Sequence, residues 1–265
     1  GCESLVNPSP TNIPVSTGTP DSSTSIFDFE QKSDGTLRIT GLKDTSVEEV
    51  VVPKEIGGRT VTEISYSAFN WCSNLKSVKL PDGLERIENA AFSNCTNLTE
   101  IEIPDSVTYI GSRAFFYCWS LTKIELPDNL RSISKNTFEE CANLTDVVLP
   151  KRLVSIGDNA FYRCVKLADI ELPSGVLEIG ELAFYCCESL TAVTVPDGVV
   201  SIGNAAFSFC TNLREIELPG SILSIGDCDW MVSECSELSS IIVEKGSLAE
   251  QWAIVFGHSD KLVYK

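Results

Sequence analysis

LTEIEIPDSVTYIGSRAFFYCWS, residues 98–120, reads as one turn of a structure that the chain builds repeatedly. Ile101 and Ile103 alternate with Glu100 and Glu102, the pattern of a short strand with one buried and one wet face. Pro104 lacks the N–H that a ladder needs, so the strand ends there and Pro104-Asp105 starts a corner. Val107 and Ile110 form a second short apolar segment, followed by Gly111, where a side chain would hinder the turn. Ala114, Phe115 and Cys118 have the spacing of one inward-facing helical turn, and a polar Asn or Ser closes the unit before the next leucine.

From residue 64 onward this pattern recurs every 23 residues. Phenylalanine returns at Phe69, Phe92, Phe115, Phe138, Phe161, Phe184 and Phe207, with a cysteine three residues after each, from Cys72 to Cys210. Proline keeps the same step from Pro81 to Pro219, as does isoleucine from Ile64 to Ile225. An eighth unit ends at Cys235, carries two extra residues and offers Trp230 in place of its phenylalanine. Such a period is the signature of a solenoid. Stacked coils put equivalent side chains about 4.8 Å apart, so each repeated letter becomes a ladder and the units together make a rod of roughly 40 Å. The expected fold is a leucine-rich-repeat solenoid, α/β to mainly β. Its coils form a right-handed curved stack with a parallel sheet on the concave face.

The flanks of the repeat divide the rest of the chain. Residues 1–25 are rich in Ser, Thr, Pro and Asn without helical or strand period, and read as a disordered tether. Residues 26–63 read as an N-terminal cap, 64–243 as eight repeats and 244–265 as a C-terminal cap. Near the start, Asp34-Gly35 lies between Phe27 to Glu30 and Leu37 to Thr40, a hairpin, followed by a half-unit of Val47, Val50, Val52 and Pro53. Near the end, GSLAEQWAIVFG carries Ser247 and Glu250 in capping-box spacing and predicts a short helix before a last strand, Lys261 to Tyr264. Caps of this kind shield an otherwise open solenoid edge.

The pattern LxxIxIPxxVxxIGxxAFxxC is matched in part by Leu121 to Cys141 and almost in full by Leu190 to Cys210. It resembles the BspA-like family of bacterial leucine-rich repeats, over nearly the whole chain after the tether, caps included. The resemblance implies surface-exposed lipoproteins or secreted proteins that bind host proteins, matrix or other cells. It implies no enzyme activity and no shared catalytic residues. Cys2, alone ahead of a Ser/Thr/Pro tether, resembles the acylated first residue of a mature bacterial lipoprotein; the other reading is an incidental thiol.

Charge narrows the partners. With a formal net charge of −17 and 43% hydrophobic residues, the chain can bury a core but lacks the clustered Lys and Arg that nucleic-acid binding relies on. The same charge repels anionic lipid, leaving a lipid anchor at Cys2 as the expected membrane contact, and favours basic partners. A monomer without cofactor is expected, at the cell surface or secreted.

Chemistry-bearing residues mostly have structural readings. The seven regular cysteines share one column and point in parallel, whereas a disulfide needs Cβ atoms converging to about 3.8 Å, so buried reduced thiols are expected. Zinc needs about four ligands at one point and a column offers two, so no metal site is expected. Cys186, Cys228 and Cys235 depart from the pattern and are the candidates for a disulfide. The single histidine, His258, stands beside Ser259 and Asp260; sequence neighbours rarely make a triad, and a surface residue is expected.

Two candidate binding surfaces remain. The outward residues of the main strands are Ser77, Lys79, Glu100, Glu102, Lys123, Glu125, Asp146, Val148, Asp169, Glu171, Ala192, Thr194, Glu215, Glu217, Ser240 and Ile242. Lys123 is expected to pair with Glu100 and Asp146, while Glu102 faces Glu125 and Asp146 faces Asp169 uncompensated. This ribbon suits a basic protein surface or cations. On the helical-turn side Trp71, Phe116, Tyr117, Trp119, Tyr162, Tyr185 and Phe209 fall at positions outside the core pattern, a possible contact for protein or sugar. The leading function is a surface binding module. The other is a glycan-binding or glycan-processing β-solenoid, because carboxylates on adjacent strands, about 5 Å apart, match a retaining glycosidase pair.

Overall fold

The computed structural model describes residues 26–226 and 229–265, so Cys2 and Cys228 lie outside the described residues. The unit 98–120 folds as one coil. Its main strand Glu100–Glu102 buries Ile101 and exposes both glutamates. The Pro104 carbonyl accepts from Val107 N–H at 2.9 Å to close the corner. A second strand, Tyr109–Ile110, follows, so the apolar segment around Ile110 is a ladder in its own right.

Both strands stack in parallel on their counterparts with the 23-residue step. Ser77, Val78 and Lys79 pair with Glu100, Ile101 and Glu102, and Arg86 and Ile87 pair with Tyr109 and Ile110. The chain is therefore a β-solenoid of about ten turns with parallel sheets. Among the described residues no helix is long and apolar enough to cross a membrane.

The third side of the coil corrects the sequence reading, because Ala114, Phe115 and Cys118 lie on consecutive turns rather than on a helical turn. Ala114, Phe116 and Cys118 donate within the coil, to Gly111, Arg113 and Phe115. Arg113, Phe115 and Tyr117 instead donate along the stack, to Lys135, Thr137 and Glu139, at 3.0, 3.0 and 2.9 Å. A right-handed helix would keep every N–H inside its own segment. Turning alternate groups outward takes left-handed residues, and Arg113 and Tyr117 have φ of 58° and 57°. The pair returns in each of the seven regular coils, as Asn136 and Glu140, then Asn159 and Arg163, while the eighth keeps only Glu234. Left-handed residues other than glycine cost on the order of 1–3 kcal/mol each, offset here by a bond between coils and by the burial of Ala, Phe and Cys between them.

The core is a set of columns. From Phe69 to Phe207 the rings stack with centroids 5.0–5.5 Å apart and planes within 15°. All seven are fully buried. The eighth unit departs from expectation: Phe207 N–H donates to Met231 as Phe184 N–H does to Ala206, so Val232, not Trp230, occupies the phenylalanine place. Val232 is buried while Trp230 is 63% exposed. By count the two extra residues fall between Gly226 and Val232, and they shift the register.

Beside the rings runs the thiol column. Each Sγ from Cys95 to Cys235 donates to the phenylalanine carbonyl of the preceding coil, at 3.1–3.3 Å. That carbonyl also accepts the N–H of its own coil's cysteine, as Phe115 does from Cys118. All nine described cysteines are free, and Cys235 belongs to the column after all. Burial pushes the Cys95, Cys118, Cys141, Cys164 and Cys187 thiols up, far from the thiolate form that reacts. Cys186, half-buried, is raised by burial as well, with Arg163 opposing. Iodoacetamide should therefore modify Cys186 in the native protein and reach the column from Cys95 to Cys210 only after denaturation. Peptide mass mapping of labelled native protein checks this, and native labelling of Cys118 or Cys141 contradicts it.

Both ends carry caps. Phe27–Gln31 and Leu37–Leu42 form an antiparallel hairpin whose turn is set by Gly35, φ 87°, and by Thr36 donating twice to Asp34. A second hairpin, Glu55–Ile56 with Arg59–Ile64, turns on Gly57-Gly58, both with positive φ. At the other end the helix Leu248–Val255 starts at Ser247, whose Oγ accepts from Glu250 N–H at 3.1 Å, while the Glu250 carboxylate accepts from Gly246 N–H. Ala249, Trp252 and Ala253 close the core, and a terminal strand Leu262–Tyr264 adds in parallel to Ser240–Val243. The caps thus cover the core. The main ladder, however, ends on Glu49–Val51 at one end and Leu262–Tyr264 at the other, each paired on one side only.

Candidate interaction surface

Register brings the outward residues of the main strands onto one face. Glu100, Glu102, Lys123, Glu125, Asp146, Asp169, Glu171 and Glu215 are all exposed there, whereas Glu217 is half-buried and held by Lys265 at 2.8 Å. Lys123 lies 3.7 Å from Asp146, and the expected second pair with Glu100 is not formed.

The main ladder is interrupted, and two of the interruptions coincide with like charges set opposite each other. It holds where Lys79 faces Glu102, where Lys123 faces Asp146, and where Ala192 and Ser240 flank Glu215. It stops after Glu100–Glu102 and after Asp146–Val148. There the 23-residue step sets Glu102 against Glu125 and Asp146 against Asp169. Like charges directly opposite destabilise a strand pair, and residues 168–171 form no strand at all.

At the first interruption a cleft of about 660 Å³ opens, walled by Glu100, Glu102, Asp105, Glu125, Lys123 and Lys151 among others. Its cations are already engaged. Lys151 sits 2.9 Å from Asp128, and their hydrogen bond holds that carboxyl below the usual range, while Lys123 is drawn to Asp146. Among the described residues Glu100, Glu102, Asp105 and Glu125 form no ion pair, although Lys151 feels the charge of Glu125, so the cleft carries an excess of negative charge.

The aromatic flank is two clusters rather than one surface. Phe116, Tyr117 and Trp119 stand at centroid spacings of 4.5 and 6.0 Å, with the Arg113 guanidinium 5.5 Å from the Phe116 ring. Tyr162 stacks on Tyr185 at 4.9 Å and Tyr185 meets Phe209 at 5.1 Å. Between them lies the coil of Glu139 and Glu140. Glu140 pairs with Arg163 at 3.0 Å, and burial raises Glu139, although Asn136 donates to it. Stacked rings shield one another's faces and offer mainly edges. Trp71, 68% exposed, has no ring partner among the described residues.

His258 is half-buried with its ring 5.4 Å from Trp252, which corrects the expected surface position. No group of three or more His, Cys, Asp or Glu side chains among the described residues is placed to hold a metal ion.

A family model described as a BspA type leucine rich repeat region matches six copies over residues 62–181 and 131–262. The chain belongs to the BspA-type leucine-rich repeat family. The BspA-type repeats extend over most of the chain, and solved structures share the architecture. A leucine-rich repeat protein of T. pallidum is 28% identical, with a TM-score of 0.58, over 89% of this chain and 95% of its own. A leucine rich cell surface protein of Faecalibacterium prausnitzii A2-165, 23% identical, superposes with a TM-score of 0.56 over 88% of this chain and 84% of its own. No curated protein matches the sequence. In this BspA-type repeat the buried Phe and Cys columns are scaffold, which leaves the outward positions as the surface that a partner can meet.

Proposed function

We propose that this chain is a non-catalytic binding module of a bacterial cell surface that takes a basic protein surface on its main-strand face. The supporting observation is the cleft between Glu100–Glu102 and Lys123–Glu125, where carboxylates lack cationic partners and the ladder has opened. A partner's Lys or Arg side chains would relieve the repulsion between Glu102 and Glu125 that the fold itself leaves in place. Family membership supports the surface setting, and the reading of Cys2 as a lipid anchor belongs to this proposal.

The test presents the purified chain to a panel of extracellular-matrix and bacterial surface proteins, with polylysine and polyglutamate as charge controls. Binding should favour basic targets and weaken steeply with added salt. Glu102→Gln combined with Glu125→Gln, which neutralises both groups without setting a new like charge against Lys79, should lower affinity for such a target by about tenfold with little effect on stability. Unchanged affinity in that variant, or preference for polyglutamate, contradicts the proposal. Hydrolysis of a glycan panel by the same preparation would favour the glycosidase reading instead.

A further inference from the structure

The two ends of the main ladder match each other. At the N-terminal end Glu49–Val51 pairs only with Ser77–Lys79, and at the C-terminal end Leu262–Tyr264 pairs only with Ser240–Val243. Each strand therefore turns one edge of unpaired N–H and C=O groups outward, a template for another strand. Their residues continue the same columns. Val51 lies in the outward column through Lys79, and Val263 ends that column through Ile242. Val50 and Leu262 both belong to the inward column.

We infer that the occupant of each edge is a second copy of this chain, with Glu49–Val51 of one copy adding in parallel to Leu262–Tyr264 of another and continuing the ladder across the junction. In that register Val51 meets Val263, two aliphatic side chains left 64% and 46% exposed in the single chain, and Glu49 comes level with Lys261, the residue just before the strand, whose ammonium lies 3.3 Å from Asp260. Self-pairing of two terminal strands in antiparallel fashion centred on Val263 would set Lys261 against Lys265, which hold Asp260 and Glu217 within the single chain, whereas the head-to-tail register brings a carboxylate to Lys261. Apolar surface around the junction points the same way. The helix of the C-terminal cap exposes Ile254 and Val255, and Phe29 is exposed on the N-terminal hairpin, where a solenoid cap that ended in water would carry polar residues. The contact uses different surfaces on its two sides, so it does not close on itself and extends into linear chains of copies. Strands of three residues make a short junction, so assembly depends on concentration.

Sedimentation velocity over a concentration series tests this with the full chain. The wild type should show a weight-average mass that rises past two copies as concentration increases. Val51→Glu, whose charge faces Lys79 within the chain, removes the head and Val263→Glu removes the tail; both sites are exposed, and unchanged melting temperatures confirm folding. Each variant alone should stay monomeric, and an equimolar mixture should form a species of two chains and nothing larger. Glu49→Lys should weaken assembly and Glu49→Lys with Lys261→Glu should restore it, a readout that a merely unfolded variant cannot produce. A wild type that is monomeric at every concentration, chains that persist in either single variant, or a mixture that stays monomeric while the wild type assembles would each overturn the inference.

Discussion

Phe138→Ala should lower the unfolding free energy by about 3–5 kcal/mol, the range for truncating a fully buried ring whose surroundings cannot collapse. The ring lies between Phe115 and Phe161 at centroid distances of 5.5 and 5.3 Å. Collapse is prevented by the bonds that fix the coil spacing on both sides. Phe115 N–H donates to Thr137 at 3.0 Å and Phe138 N–H donates to Ala160 at 2.9 Å, so neither neighbouring coil can move in to fill the gap. In a solenoid each repeat leans only on its neighbours, and a lesion in the fourth of the seven rings weakens both halves. Urea denaturation followed by circular dichroism measures the change, with Leu177→Ala, an exposed side chain, as a control expected to lose less than about 0.5 kcal/mol. A loss under about 1 kcal/mol for Phe138→Ala would show that the column is not continuous.

The second large effect is Gly203→Ala. A methyl group at this position would stand 2.4 Å from the Glu181 nitrogen and 2.6 Å from the Gly180 carbonyl carbon, backbone atoms of the preceding coil that no side-chain rotation can clear. Gly111, Gly157, Gly180 and Gly226 share the column, and none has a positive φ. Contact between coils therefore selects glycine here, and not the turn geometry that the sequence suggested for Gly111. The short-strand ladder stops between Tyr109–Ile110 and Ser132–Ile133, at the step where Ser134 stands in this column, although Glu88 is accommodated beside the N-terminal cap. Forcing a methyl group into a closed contact costs about 1–3 kcal/mol, more than the 0.4–1 kcal/mol that Gly→Ala gains by restricting the unfolded chain. The variant should therefore melt several degrees below the wild type, and a variant as stable as wild type would mean that the coils stack less closely.

Much of this architecture was legible because the period does not drift. Phe69 to Phe207 and Cys72 to Cys210 each name one interior column, and the 23-residue step then sets every strand register. The left-handed positions left no such trace. Trp71, Asn94, Tyr117, Glu140, Arg163, Cys186 and Phe209 occupy one of them in successive coils, and they share backbone conformation without sharing a residue type. Two extra residues mask Val232 in the sequence, because Trp230 supplies an aromatic ring nearby while the three-residue spacing to Cys235 belongs to a valine. The outward carboxylates could be enumerated from alternation alone. That Glu102 and Glu125 would open the ladder between them needed the observed pairing, because a sequence gives the charges but not whether their strands remain bonded.

The most direct test of the stacked solenoid is a crystal structure at a resolution that shows individual rings and sulfurs. Phe69 to Phe207 should lie in a single row with neighbouring centroids 5.0–5.5 Å apart, the column sulfurs from Cys95 to Cys235 unbridged and turned toward the phenylalanine carbonyl one coil before. Rings dispersed over a compact globule, or electron density joining sulfurs of successive coils, would contradict the account.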